Sequence, residues 1–200
     1  PETRIMDFPA KSLVNFFENH RLLEVVPPLW RTVSGGSRNY HSKLLADLGD
    51  RARIGVGAAS IERPATGGVV ITDTNGQAHT FDQVIMATHS DQARALLADA
   101  SGMEDTLLEA VQYRPNRVVL HRDASFMPKR KKAWAAWNTL RDSNKGADSD
   151  ITLTYWMNKL QNIDNDYPLF VTLNPTNAPD PALVFGEWTF DHPQYNAAAF

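Results

Sequence analysis

The sequence contains no cysteine in its 200 residues. Without thiols the chain cannot form disulfides, zinc–thiolate centres or iron–sulfur clusters. The absence fits a cytoplasmic protein, and the cytoplasm is the location we expect. The six histidines are scattered without the spacing of metal ligands, so we expect no metal site.

The sequence also lacks an excess of positive charge and long apolar runs. The formal net charge is −3, whereas nucleic-acid-binding proteins usually carry a basic excess. The one basic run, at 129–132, falls in an expected loop, which favours a solvated turn over a nucleic-acid contact. No stretch approaches the ~20 apolar residues of a membrane helix. We therefore expect neither a nucleic-acid partner nor a transmembrane segment, and the sequence carries no signal for an oligomeric state.

A third absence is the G-x-G-x-x-G turn, which seats a dinucleotide pyrophosphate on a helix N-terminus. The chain also begins at Pro1 without a Met and ends within an Ala-rich stretch that predicts a helix over 195–200. Together these features lead us to expect an internal piece of a longer protein.

Apolar periodicity predicts two helices in the first fifty residues. Ala10, Leu13, Val14 and Phe17 recur at the spacing of one helical face, within a predicted helix over 9–20. A second helix is predicted over 37–48, with Gly49 as its C-terminal cap. Further along, helices are predicted over 90–98 and 103–113.

Strands are predicted over 53–62, 68–73, 78–81 and 83–88, with the turn at 74–76. The apolar run at 84–88 favours a strand covered on both faces, as in a parallel sheet. Beyond residue 114 we predict strands over 116–122, 132–141, 151–160, 169–174 and 183–190. Aromatic residues crowd this part, which predicts an antiparallel sheet with one aromatic-rich face. Those aromatic side chains could form the core or line a hydrophobic substrate cavity.

Gly35 and Gly36 precede the second predicted helix. Paired glycines let the backbone approach a phosphate, and helix N-termini favour anions. Equally, such pairs are common in simple turns before a helix. The local sequence leaves both interpretations open.

The order of these features resembles the middle of the flavin-containing amine oxidoreductase family, which includes monoamine oxidases and phytoene desaturases. A glycine pair with its helix, a strand over 57–62, a hairpin and the run FDQVIMAT at 81–88 follow one another as they do there. A closer similarity is to a bacterial subgroup of predicted NAD/FAD-binding oxidoreductases. It covers nearly the whole chain, through WRTVSGGSR at 30–38, HSDQA at 89–93, NRVVLHRD at 116–123, AWAAWN at 133–138, YWMNKLQ at 155–161 and VTLNP at 171–175.

This resemblance implies a mixed α/β and α+β fold, in which part of a Rossmann-like FAD-binding domain of the amine-oxidase type joins an antiparallel-sheet substrate domain. Residues 30–100 would belong to the FAD-binding lobe. Residues 1–29 and 101–190 would form the substrate-binding lobe, and 191–200 would begin a further helix. Because the family's G-x-G-x-x-G turn and its Gly-rich closing segment are missing, the chain alone is expected to hold FAD poorly or not at all.

The resemblance also implies site residues. The backbone of Ala58 would face the adenine of FAD, and the other implied cofactor contacts are Gly35, Gly36, Gly57, Ala59, Ala87 and Thr88. Arg117 lies near the position where many amine oxidases have a Lys beside flavin N5, although a guanidinium is a poor base. Asn116 and His121 flank it, and a His could transfer protons. A His on a strand is also commonly a packed residue.

The function that the resemblance implies is FAD-dependent hydride transfer at a C–N or C–C bond of a small, hydrophobic, lipid-like substrate. The parent protein would be the enzyme, and the 200-residue chain alone would be inactive. The alternative is a non-catalytic binding or structural module that retains only the substrate lobe.

Overall fold

The structure is a computed structural model that describes residues 8–26, 28–140, 152–194 and 199. The chain divides into two compact units. The first unit comprises residues 1–44 and 114–192, and the second comprises 45–113 and 193–200. Which of them binds which ligand stays a prediction.

Five α-helices lie in the described residues. They are α1 (Ala10–Asn19), α2 (Arg38–Leu48), α3 (Ser90–Leu96), α4 (Gly102–Glu109) and α5 (Met157–Gln161). The predicted cap after α2 is present, with Gly49 at φ +55°. A capping box begins α4: the Ser101 hydroxyl accepts the Glu104 N–H, and the Glu104 carboxylate accepts the Ser101 N–H. None of the described helices is long and apolar enough to cross a membrane. The predicted helix over 195–200 lies outside the described residues apart from Ala199.

The second unit contains a three-stranded antiparallel sheet of β1 (Ala58–Glu62), β2 (Val69–Asp73) and β3 (Ala78–Phe81), in that order. The predicted turn joins β2 to β3. The Asp73 carboxylate accepts the N–H groups of Asn75 and Gln77, and Gly76 has φ +79°. A local side-chain acceptor and a glycine in the left-handed region therefore fix this hairpin, as the sequence indicated.

The predicted strand over 83–88 is wrong. This segment is extended but unpaired, and Ile85 is 94% exposed. A strand is held by hydrogen bonds to a neighbour, and no described residue pairs with 83–88. The apolar run at 84–88 is therefore extended but does not belong to a sheet of the described residues.

The first unit is built on a five-stranded sheet with the order β5-β6-β7-β4-β8. Its strands are β4 (Gln112–His121), β5 (Trp137–Leu140), β6 (Thr152–Trp156), β7 (Phe170–Leu173) and β8 (Val184–Gln194). The pairs β4·β7, β6·β7 and β5·β6 are antiparallel, as predicted.

The expected single aromatic-rich face is not formed. Trp156 pairs with Phe170 on one face, whereas Trp137 pairs with Tyr155 on the other. Successive side chains of a strand point to opposite faces, so the adjacent Tyr155 and Trp156 must separate. Trp134 packs edge-on against both Trp156 and Phe170, at centroid distances of 5.3 and 5.7 Å.

Several predicted element bounds also need correction. The strand predicted over 53–62 begins only at Ala58. The strand predicted over 151–160 ends at Trp156, and helix α5 follows it. The chain turns here because the Asn158 side chain donates to the carbonyls of Asp164 and Tyr167 and accepts the Leu169 N–H. The strand predicted over 132–141 begins only at Trp137, after a 3-10 turn at Lys131–Ala133, and residue 141 lies outside the described residues. The helix predicted over 103–113 ends at Glu109, and β4 begins at Gln112.

The buried face of the large sheet is unusually polar. His121, Thr154 and Thr172 are fully buried there beside Val119 and Phe170. Buried polar groups are costly unless they are hydrogen-bonded. This row therefore depends on the internal bonds described below.

Candidate functional site

His121 ends β4 and is sealed in the core of the first unit. Its Nδ1 accepts the N–H of Asp123 at 3.2 Å, so the proton sits on Nε2, which donates to Thr172 Oγ1 at 2.7 Å. The Thr172 hydroxyl lies 2.9 Å from Thr154 Oγ1. Burial lowers the pKa of His121, only partly opposed by the nearby Asp123 carboxylate. The ring is therefore held neutral, with both nitrogens engaged.

Arg117 lies on the same strand but is exposed and ion-paired. Its Nε and Nη2 donate to the two carboxylate oxygens of Glu187, at 2.6 and 2.8 Å. These bonds raise the pKa of the Arg117 guanidinium and lower the pKa of Glu187. The pair borders a cavity of about 330 Å³ together with Phe185 and Val119. Arg117 therefore borders open space while its guanidinium is held by Glu187.

Asn116 is tied to the end of β7. Its Oδ1 accepts from Asn174 Nδ2 at 2.6 Å, and Asn174 Oδ1 accepts the Arg117 N–H at 3.1 Å. Asn174 has φ +47°, a conformation that asparagine tolerates better than most residues. Among the described residues, no hydrogen bond joins Asn116 or Arg117 to His121. The structure therefore places the three catalytic candidates on one strand, each with different partners.

The implied adenine contact lies on β1, an edge strand of the small sheet. Ala58 and Ala59 are exposed, and the register shifts between Ala58 and Ser60. The carbonyl of Gly57 accepts the N–H of Thr74. On the outer side of β1, Ile61 forms a bridge to Leu97 and its carbonyl accepts the Ala98 N–H. No described strand pairs with Ala58 and Ala59 on that side, so their backbone is accessible there, which fits a contact with a flat ring.

The remaining cofactor candidates are on irregular segments. Ala87 and Thr88 are exposed in the unpaired stretch before α3, in the same unit as β1. Gly35 and Gly36 belong to the first unit and form the turn before α2, at φ +78° and +88°. A Cβ on Gly35 would lie 2.6 Å from Asn39 Nδ2, and the Asn39 amide donates to the Ser34 carbonyl. The turn is therefore a tight glycine turn that the Asn39 side chain closes. It also fits the approach of a phosphate at Gly36, where a Cβ would meet nothing.

A larger cavity was not assigned from the sequence. It has a volume of about 800 Å³ and is lined in the first unit by residues before the glycine pair, by the start of β5 and by α5. Trp137 belongs to this lining, whereas Trp134, Trp156 and Phe170 pack together in the core. The aromatic residues thus divide into a packed group and a residue that lines a cavity, and a substrate in that cavity stays a prediction. The signal that could have found the cavity is the adjacent Trp30 and Arg31, an apolar and a cationic side chain in one irregular segment.

No group of three or more metal-binding side chains capable of holding an ion occurs in the described part of the chain.

Comparisons with known proteins bear on what this arrangement does. The family model described as flavin containing amine oxidoreductase matches residues 7–188. Among solved structures, the chain is similar to a conjugated-linoleic-acid (CLA)-producing fatty acid isomerase from P. acnes, with a TM-score of 0.53 and 14% identity. That similarity covers 80% of this chain and 41% of the isomerase chain, so the present chain spans less than half of that protein. No curated protein sequence matches it.

Proposed function

The chain belongs to the flavin-containing amine oxidoreductase family, and from this premise we propose that it is the central part of an FAD-dependent oxidoreductase. The observation that carries the proposal is the family match, which extends over 7–188. The proposal places the protein in the cytoplasm, a setting with which a chain lacking cysteine is compatible.

Two parts of the chain fit a role in holding FAD. The exposed backbone at Ala58 and Ala59 on the edge strand β1 can exchange hydrogen bonds with an adenine. The turn at Gly35 and Gly36 can admit a phosphate close to the backbone. When bound, FAD supplies the capacity to accept or deliver a hydride at a C–N or C–C bond, and the protein supplies orientation and electrostatics. The absence of a G-x-G-x-x-G turn supports the view that this chain alone holds FAD poorly.

The proposed substrate is hydrophobic. Support comes from the 800 Å³ cavity, whose walls include Trp30, Trp137, Met157 and Leu160. Specific small-molecule sites are mostly apolar and have volumes of about 300–1,000 Å³. The solved neighbour named above is described as acting on a fatty acid, which agrees with this substrate class.

Among the three residues of β4, Arg117 is the one proposed to contact a ligand, since it borders a cavity and its guanidinium is exposed. Asn116 would hold the adjoining strand end through Asn174. A proton-transfer role for His121 would require its Nε2–H to leave Thr172, because both ring nitrogens are bonded.

The test is anaerobic reaction of the complete gene product, reconstituted with FAD, with hydrophobic amines and with unsaturated long-chain carboxylates. The proposal predicts that at least one of these substrates changes the flavin spectrum or is itself rearranged. A complete gene product that binds such compounds without either change would instead be the non-catalytic module, the alternative favoured by the missing glycine motif.

A further inference from the structure

The cavity of the first unit contains two cations on mostly apolar walls, in which Thr32, Gln161 and Asn162 are the uncharged polar residues. Arg31 enters from the irregular segment before the glycine pair, and Lys159 comes from α5. Among the described residues, neither side chain has an ion-pair or hydrogen-bond partner, and none of the described lining residues is acidic. An exposed cation normally finds an adjacent carboxylate or stays in bulk water. Here both border the same apolar space.

Four of the side chains that line the cavity with these cations are large and apolar. Trp30 and Trp137 are 65% and 63% exposed, which is high for tryptophan. Met157 and Leu160 complete this surface on the side of α5. Large apolar side chains exposed next to one another commonly mark a binding site. The volume of about 800 Å³ lies in the range typical of ligand pockets, about 300–1,000 Å³.

We propose that this cavity binds a long-chain aliphatic carboxylate. Its carboxylate would be held by Arg31 and Lys159, and its chain would lie along Trp30, Trp137 and Leu160. The pairing of unpartnered cations with apolar walls matches a ligand that has one anionic end and one hydrocarbon end. A neutral hydrocarbon would leave the cations unused, and a small anion would leave the tryptophans exposed. The identification of this ligand as the substrate rests on the proposed function, whereas the binding does not.

The experiment is a fluorescence titration of the 200-residue chain with monomeric oleate, since two of its five tryptophans line the cavity. Oleyl alcohol has the same chain without the charge, and butyrate has the same head group without the chain. We expect saturable oleate binding and at least about tenfold weaker binding of both comparators. Each comparator lacks one of the two sets of contacts, and a loss of ~1.4 kcal/mol of binding free energy raises Kd tenfold.

The double variant Arg31→Gln, Lys159→Gln should raise the Kd for oleate about tenfold and leave the Kd for oleyl alcohol unchanged. The matched control is Lys129→Gln, Lys132→Gln, which removes two exposed cations that do not line the cavity. This control should bind oleate like the parent chain. Because all four residues are exposed, the variants should keep the circular-dichroism spectrum and the thermal midpoint of the parent.

Four results would overturn the proposal: no saturable oleate binding, equal affinity for oleate and oleyl alcohol, unchanged oleate affinity in the Arg31 and Lys159 variant, or an equal loss in the control. Preferential binding to phosphatidylglycerol vesicles over monomeric oleate would also overturn it in favour of a membrane surface. The test needs no flavin. Charge-dependent oleate binding by the chain, together with a complete gene product that binds no flavin, would therefore contradict the proposed function alone. A flavin-binding gene product, together with a chain that shows no charge-dependent oleate binding, would contradict this inference alone.

Discussion

Replacing Thr172 with Val should destabilise the first unit more than its small change in shape suggests. The Thr172 hydroxyl is the middle of a buried chain of hydrogen bonds, accepting from His121 Nε2 and lying 2.9 Å from Thr154 Oγ1. Valine has nearly the same shape and cannot take part in either bond. The variant therefore removes two bonds without opening a large cavity.

The magnitude follows from burial. His121, Thr154 and Thr172 are each 0% exposed, so water cannot replace the lost partner. An unsatisfied buried polar group costs about 1–3 kcal/mol, and two such groups give a loss of about 3 kcal/mol. Thr172→Ser keeps the hydroxyl and loses one methyl group, which costs about 1 kcal/mol. The predicted order of stability is parent, then Thr172→Ser, then Thr172→Val.

Urea unfolding followed by tryptophan fluorescence measures this unit selectively, because all five tryptophans lie within residues 1–44 and 114–192. Thr154→Val serves as the second arm of a double-mutant cycle. Removing both hydroxyls should cost less than the sum of the single losses, since the two side chains share one bond. A Thr172→Val variant as stable as Thr172→Ser would show that the buried hydroxyl bonds do not stabilise this unit.

Three further predictions concern ionisation and backbone conformation. Burial holds the pKa of His121 below its ordinary value of 6.5, so the unfolded chain binds a proton more readily than the folded chain. The first unit should therefore keep its full stability above pH 6.5 and lose stability as the pH falls below that value. Urea unfolding midpoints measured on either side of pH 6.5 test this. Hydrogen bonds from Arg63 lower the pKa of Glu104 from 4.5 to about 2, so the second unit should lose stability as the pH falls below 4.5 towards about 2. In Arg63→Met the pKa of Glu104, followed by NMR titration, should return towards 4.5, and an unchanged pKa would contradict the assigned contact. Gly35→Ala should lower the free energy of unfolding by about 1 kcal/mol or more, since an L residue is strained at positive φ and its Cβ would meet Asn39. Gly36→Ala, whose Cβ would meet nothing, should lower it by less in the same urea assay.

The sequence predicted those elements whose local chemistry is self-contained. The hairpin between β2 and β3 was recoverable because the turn residues act on their own neighbours, through the Asp73 carboxylate and Gly76. Helix α2 was recoverable from its apolar period and from Gly49. The family was recoverable because its motifs extend over most of the chain in a fixed order.

Features that depend on distant partners were missed. Residues 83–88 have the composition of a buried strand, yet strand formation needs a neighbouring strand that the local sequence does not reveal. The end of β6 was missed because Asn158 bonds to residues 164–169 across a loop. The cavity beside Arg31 and Lys159 combines segments more than a hundred residues apart, so the local pair Trp30 and Arg31 indicates only one of its walls.

Whether the protein is a flavoenzyme is tested most directly by the absorbance spectrum of the complete gene product. It is recorded beside that of the 200-residue chain after both are mixed with FAD and freed of unbound cofactor. We expect the near-ultraviolet and visible bands of oxidised flavin in the complete protein, with FAD released on denaturation, and little or no such absorbance in the chain alone. A complete protein that stays colourless after reconstitution would contradict the assignment as a flavin-dependent oxidoreductase.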